Sequence, residues 1–277
     1  MRRSTTSAGT KRRSLLGLLI AELIFGAVLL ARPPATNPPS PSVAAPPSLT
    51  TATAASTTET LSDGRTVHLV GLGGTDTAPV LARIAAEMDS AARAVTEFWG
   101  PNWPRDVLIV AAGSDTQFRQ LAGGSADIAA TTTAERIMFA PGAAAMSDAA
   151  LRIVVRHELF HYAARADTAA DAPSWLTEGV ADYVGRPPTP RPANAADLAS
   201  IPTDADLGTA GPDRSLAYDR AWWFSRFVAE EYGTSTLRAL YLRACGNGHP
   251  DAATAVHDTL GADLPTVLIR WRAWLTG

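Results

Sequence analysis

The chain has 277 residues, 46% hydrophobic and 18% charged, with a formal net charge of −3, a composition that supports a globular domain with a sizeable core plus appendages. Its single cysteine, Cys245, excludes an internal disulfide and a thiolate metal site. Residues 1–60 carry Arg2, Arg3, Lys11, Arg12, Arg13 and Arg32 against Glu22 and Glu59, net +4, which leaves −7 for the rest and argues against nucleic acid as a partner of the body.

The first 14 residues form a basic tip. Residues 15–31 are apolar except for Glu22 and would reach about 26 Å as a helix, at the short end of what spans a bilayer. Glu22 costs roughly 2.5–3.5 kcal/mol at mid-membrane, against about −3 to −7 from the Leu, Ile, Val and Phe residues, so insertion wins narrowly. The basic tip then keeps the N-terminus in the cytoplasm and sends the rest outside. The expectation is a single-pass signal anchor with an extracytoplasmic body. A signal cleaved after Ser42-Val43-Ala44 is the alternative. Lys11 is the only lysine, an arginine bias that fits a bacterial source. Residues 32–60, rich in Pro, Ala, Ser and Thr, cannot bury enough surface to fold and read as an extended linker.

From residue 61 the pattern becomes globular, and residues 61–277 read as one catalytic domain. Val67 to Val70 and Val107 to Ala111 are β-branched runs between turn residues, read as strands. Between them Val80, Ile84, Met88, Ala91, Val95 and Phe98 fall at helix spacing, and Gly100-Pro101 closes the helix. Arg136 to Ala140 reads as a further strand. Ser147 is placed to cap the next helix, with Asp148 favourable in its first turn. In that helix Ile153, Val154, Val155, Leu159, Phe160 and Tyr162 cover most of the circumference, leaving Arg152 and Arg156 as one polar stripe. Such a helix is central and buried.

That helix carries His157-Glu158-Leu159-Phe160-His161. Histidines four apart on a helix face one point, and Glu158 lies on the flank of that face. Zinc uses this arrangement, needing one further protein ligand and an open position. Trp175-Leu176-Thr177-Glu178-Gly179-Val180-Ala181-Asp182-Tyr183 offers it: Glu178 is the expected third ligand, at the start of a following helix. Asp182, one turn later on the same face, is spaced either to take the N–H of one histidine or to face solvent as an ordinary helix aspartate. Glu158 is the expected general base, taking a proton from water and delivering it to the leaving amine.

The remainder reads as helical, over Glu178 to Val184, Leu216 to Tyr232, Ser235 to Cys245 and Leu264 to Trp274, with a long Pro/Ala/Asp-rich loop between Gly185 and Pro212. Tyr218 is the candidate oxyanion donor, and packing against Trp222 and Trp223 is its other reading. His249 is the next candidate, in a surface loop. His68 and His257 read as structural or solvent-facing.

H-E-L-F-H, then W-L-T-E-G-V-A-D-Y, then A-Y-D-R-A-W-W-F with Y-G following, resemble the gluzincin metallopeptidases. The likeness is strongest to their membrane-anchored, peptidase-MA-like bacterial branch. It spans about Asp127 to Trp274 and implies an α+β zincin core: a small twisted sheet carrying the active-site helix, then a helical lobe, with the cleft between. It implies zinc on His157, His161 and Glu178, catalysis by Glu158, and Asp182 as the aspartate behind a ligand. It also implies that Arg136 to Ala140 is the edge strand that pairs with an extended peptide. No G-x-M-E-N segment precedes the helix, so the resemblance points to an endopeptidase rather than an aminopeptidase. The expected activity is zinc-dependent hydrolysis of peptides or proteins outside the cytoplasm. A non-catalytic zinc-containing envelope binding protein, or a zinc hydrolase of another amide or ester, are the alternatives.

Overall fold

A computed structural model describes residues 55–123, 127–192 and 195–277. The tip, the proposed anchor at 15–31 and most of the linker lie outside the described residues. Among the described residues no helix is long and apolar enough to cross a membrane.

The architecture is α+β: a small sheet, then a helical lobe. Five strands, β1 (Ala55–Thr60), β2 (Thr66–Gly71), β3 (Asp106–Ala111), β4 (Ala130–Thr132) and β5 (Ile137–Phe139), lie in the order β1-β2-β3-β5-β4. β2, β3 and β5 are parallel, while β1 and β4 run antiparallel on the two edges. The linker expectation is corrected at residues 55–60, which form β1. All six of its side chains are exposed, so no apolar alternation announces it, and its threonines suit a strand.

The parallel pair β2 and β3 is joined by α1 (Thr77–Trp99). Leu81, Ile84, Met88, Ala91 and Val95 form its buried stripe, facing the sheet and α3 (Asp148–Ala164). Ser147 caps α3 as expected, its side chain accepting from the Ala150 N–H. The polar stripe of α3 is spent on α1: Arg152 pairs with Glu87 at 2.8 Å and Arg156 donates to Ser90 at 2.8 Å. Its apolar circumference is the centre of the large core, where the Phe160 ring meets Phe98, Trp99 and Tyr241 edge-on at 5.4–5.8 Å.

The opposite face of the sheet carries a second, thin layer. There α2 (Asp115–Ala122) buries Phe118 against Val110, Ile128 and Met138. The lobe consists of α4 (Ser174–Gly185), a short α5 (Asp204–Gly208), α6 (Pro212–Tyr232), α7 (Thr234–Cys245), α8 (Ala252–Leu260) and α9 (Leu264–Thr276). The segment between α4 and α6 therefore holds α5, closed at its start by a reciprocal Thr203–Asp206 cap, and a 3₁₀ turn at Ala195–Leu198.

One further expectation is corrected. β5, within Arg136 to Ala140, is not an edge strand, because β4 pairs along its outer side through Ala130↔Phe139, Thr131↔Met138 and Thr132↔Ile137. The edge is β4, too short and too polar to register as a strand in the sequence. Ala130 and Thr131 are buried, and only Thr132 is partly open.

Candidate metal centre

The site is made where α4 lies between α3 and α6. Two glycines allow the close approach. A Cβ at Gly179 would stand 2.5 Å from the Ala221 carbonyl oxygen on α6, and one at Gly185 would stand 3.0 Å from the Ile153 carbonyl oxygen on α3. With the helices in backbone contact on both sides, Glu178 is brought up to the two histidines of α3 although sixteen residues separate it from His161.

The donor atoms form a tight triangle. His157 Nε2 lies 3.0 Å from His161 Nε2 and 3.2 Å from Glu178 Oε2, and His161 Nε2 lies 3.5 Å from that same oxygen. His157, His161 and Glu178 are the one such group among the described residues that could hold a metal ion. A tetrahedral zinc with bonds of about 2.0–2.1 Å requires donors roughly 3.3 Å apart, so these residues fit the ion. The donor set fits as well: two imidazoles and one carboxylate, buried apart from a partly open His161, leave room for one more ligand.

Asp182, fully buried, places Oδ1 2.9 Å from His157 Nδ1. Of the two roles its spacing allowed, the structure shows the histidine partner. That contact keeps the Nδ1 proton in place, so it is Nε2 that turns toward the triangle and offers its lone pair once its own proton has left. Burial works against a charged His157, but its hydrogen bonds to Asp182 and Glu178 and their charges win, and its pKa is pushed up to about 10. Burial likewise works against the Glu178 carboxylate, yet the two histidines hold its pKa far below the usual range.

Glu158 is buried beside the triangle, and burial raises its pKa. The Thr132 hydroxyl lies 2.6 Å from Glu158 Oε2 and 2.9 Å from the Glu158 backbone oxygen, able to donate to one at a time. Tyr218 on α6 is buried, with its ring centroid 6.5 Å from that of His157 and no hydrogen-bond partner on its hydroxyl. The phenol thus lies on the side of α6 that faces the donor triangle. Burial raises its pKa well above the usual value, and the charges of Glu178 and Asp182 act in the same direction.

His249 is not part of this cluster. Its Nδ1 donates to the Pro250 carbonyl at 2.8 Å and its Nε2 lies 3.4 Å from Asp171. Two residues belong to the site that the sequence reading does not single out. Thr132 carries no signal, sitting in a run of three threonines. Arg186 carries one: it follows Asp182 by four residues, the spacing of helical ion pairs, and its Nη2 lies 2.6 Å from Asp182 Oδ2.

No protein-family model matches the chain, and no curated protein matches it. The solved structures that match the chain include M1 zinc metallopeptidases. A two-domain M1 zinc metallopeptidase mutant bound to L-arginine is 16% identical with a TM-score of 0.49, over 81% of this chain and 52% of that one. The M1 zinc metallopeptidase of Deinococcus radiodurans, as a mutant bound to a Tyr-Ser-Ala substrate, is 19% identical with a TM-score of 0.48, over 81% and 52%. The same enzyme without that substrate gives 19% and 0.45, over 81% and 51%. The chain spans about half the length of these structures.

Proposed function

We propose that this chain is a zinc-dependent peptidase, acting as an endopeptidase on peptides or proteins outside the cytoplasm and tethered through residues 15–31. The observation that carries the reading is the donor triangle of His157, His161 and Glu178 with a buried carboxylate, Glu158, held at its side. Zinc bound there would supply a Lewis acid that polarises a carbonyl and acidifies a water.

The chain's own residues supply the rest. Asp182 orients His157. Glu158 accepts the proton of the attacking water and returns it to the leaving amine, and its raised pKa brings it nearer neutrality, where such a base works best. Thr132 fixes the carboxylate in one direction without taking up its second oxygen. The Tyr218 hydroxyl, buried with no partner of its own, donates to the oxyanion as it develops. An extended peptide would meet the sheet at the open end of β4 near Thr132, rather than along residues 136–140.

The test is the full chain with Glu158→Gln. Hydrolysis of an unselective protein substrate should fall by roughly two to four orders of magnitude, the usual worth of a general base, while zinc content and melting temperature hold. Near-normal cleavage by the folded, zinc-loaded variant would sink the mechanism. A wild-type chain that holds zinc and cleaves no member of a diverse peptide library would leave a binding protein. His157→Ala or His161→Ala should each strip the metal, and stoichiometric zinc after dialysis would refute the ligand assignment.

A further inference from the structure

Asp182 has two carboxylate oxygens and no exposure to solvent. One oxygen is occupied by His157. A buried carboxylate whose second oxygen lacks a cation or donor costs several kcal/mol and is free to turn about its own axis. The group that meets this second oxygen lies one turn on. α4 stops at Gly185, the Arg186 N–H donates to the Asp182 carbonyl at 2.8 Å, and the side chain folds back along the helix. Its Nη2 forms an ion pair with Asp182 Oδ2 at 2.6 Å, a charge contact rather than an aligned hydrogen bond, and its Nη1 donates at 2.6 Å to Asp219 Oδ1 on α6.

The guanidinium is itself held in place. It lies 5.1 Å from the Trp222 ring centroid, and its side chain is 13% exposed where it lines a cavity with Tyr183, Trp222 and Arg226. Arginine suits this position because it stays charged at every pH a protein survives, and its planar fork serves two carboxylates at once. The result is a continuous line, His157–Asp182–Arg186–Asp219, running from a metal ligand to the far side of α4.

We propose that Arg186 is a positioning residue for the metal centre: by fixing the second oxygen of Asp182, it locks the first onto His157 and so aims the Nε2 lone pair of His157 into the donor triangle. This rests on the metal-site reading above. The rival role is a purely mechanical tie between α4 and α6 through Asp219, and the two roles separate cleanly. A mechanical tie is lost equally in Arg186→Gln and in Asp219→Asn, whereas the positioning contact is lost only in the former.

The experiment measures zinc affinity of the full chain by competition with a chromophoric chelator, for wild type, Arg186→Gln, Arg186→Lys and Asp219→Asn, each shown to be folded by its melting transition. Removing a partner behind a metal ligand typically weakens affinity about 10- to 100-fold, and Arg186→Gln should fall in that range. Arg186→Lys keeps the charge but reaches one carboxylate, so its affinity should lie between glutamine and wild type. Asp219→Asn should stay within about threefold of wild type. The proposal is overturned if folded Arg186→Gln binds zinc as tightly as wild type, or if Asp219→Asn loses as much as Arg186→Gln. A wild-type chain that binds no zinc overturns the metal-site reading itself, a separate result from normal wild-type binding with an unaffected Arg186→Gln. If Arg186→Gln does not fold, the comparison of Arg186→Lys with Asp219→Asn decides: the lysine chain must bind zinc more weakly.

Discussion

Gly179→Ala tests the claim that backbone contact between α4 and α6 sets the site. In an exposed helix interior this change would stabilise by about 0.8–1.0 kcal/mol, because alanine is the better helix former. Here the new methyl would stand 2.5 Å from the Ala221 carbonyl oxygen, 2.7 Å from its carbon and 2.9 Å from Ser225 Oγ. Two of those three atoms are backbone, and Ser225 Oγ already donates to the same carbonyl at 3.1 Å, so none yields without moving α6. Relief requires the helices to part by roughly 0.5–1 Å, and a gap of that size forfeits a quarter to a half of each contact across it. Overpacking of this kind costs about 1–3 kcal/mol, and with backbone on both sides the upper half of that range applies. The steric loss exceeds the propensity gain, for a net destabilisation of about 1–2 kcal/mol. Glu178 is the adjacent residue, so zinc affinity should fall along with stability. Denaturant unfolding, with the midpoint shifting at constant slope, and chelator competition measure the two. An alanine variant as stable as wild type, with unchanged zinc affinity, would show that Gly179 does not set the spacing.

Phe160→Ala, which removes a fully buried ring touching Phe98, Trp99 and Tyr241, should cost about 3–5 kcal/mol in equilibrium unfolding; a loss below 1 kcal/mol would contradict the central place of α3. Ser147→Ala removes the N-terminal side-chain cap of that helix and should cost about 0.5–2 kcal/mol, measured in the same way. Because hydrogen bonds to Asp182 and Glu178 and their charges push the His157 pKa up to about 10, zinc uptake near neutrality is expected to release a proton. The apparent affinity should therefore rise with pH through the neutral range, and the calorimetric heat of binding should depend on the ionisation enthalpy of the buffer; a buffer-independent heat would refute the proton count.

The parts of the fold legible in the sequence are those where burial imposes a period. α1 follows its apolar stripe from Val80 to Phe98, and α3 follows its capping serine and nearly all-round apolar surface. His157, His161, Glu178 and Asp182 are brought together as the two motifs require, because helical spacing fixes which side chains share a face. β1 was hidden by having no buried face, and β4 by having three residues. α2 buries one residue, too few to show a period. The contact of Thr132 with Glu158 joins residues 26 apart through the pairing of β4 on β5, and such sheet registers do not appear in local pattern. Gly179 reads in the sequence as part of a motif, but its work is steric, and only the neighbouring helix reveals that.

The unequal covering of the two faces of the sheet has a consequence for motion. The proposed ligands sit on α3 and α4, inside the large core, where amide hydrogens are expected to exchange only through the largest openings of the domain. β4, which carries the threonine that steadies Glu158, packs against α3 and shares the large core through Ala130, whereas the other face of the sheet is covered by one eight-residue helix with a single buried side chain. Few apolar contacts have to be broken to lift that helix, so α2 belongs to a less protected cooperative unit than α3 or β4. Amide exchange should be fast in α2 and slow in α3 and β4, which would leave the donor triangle and the threonine that orients the base rigid while the outer face of the sheet opens on a faster clock.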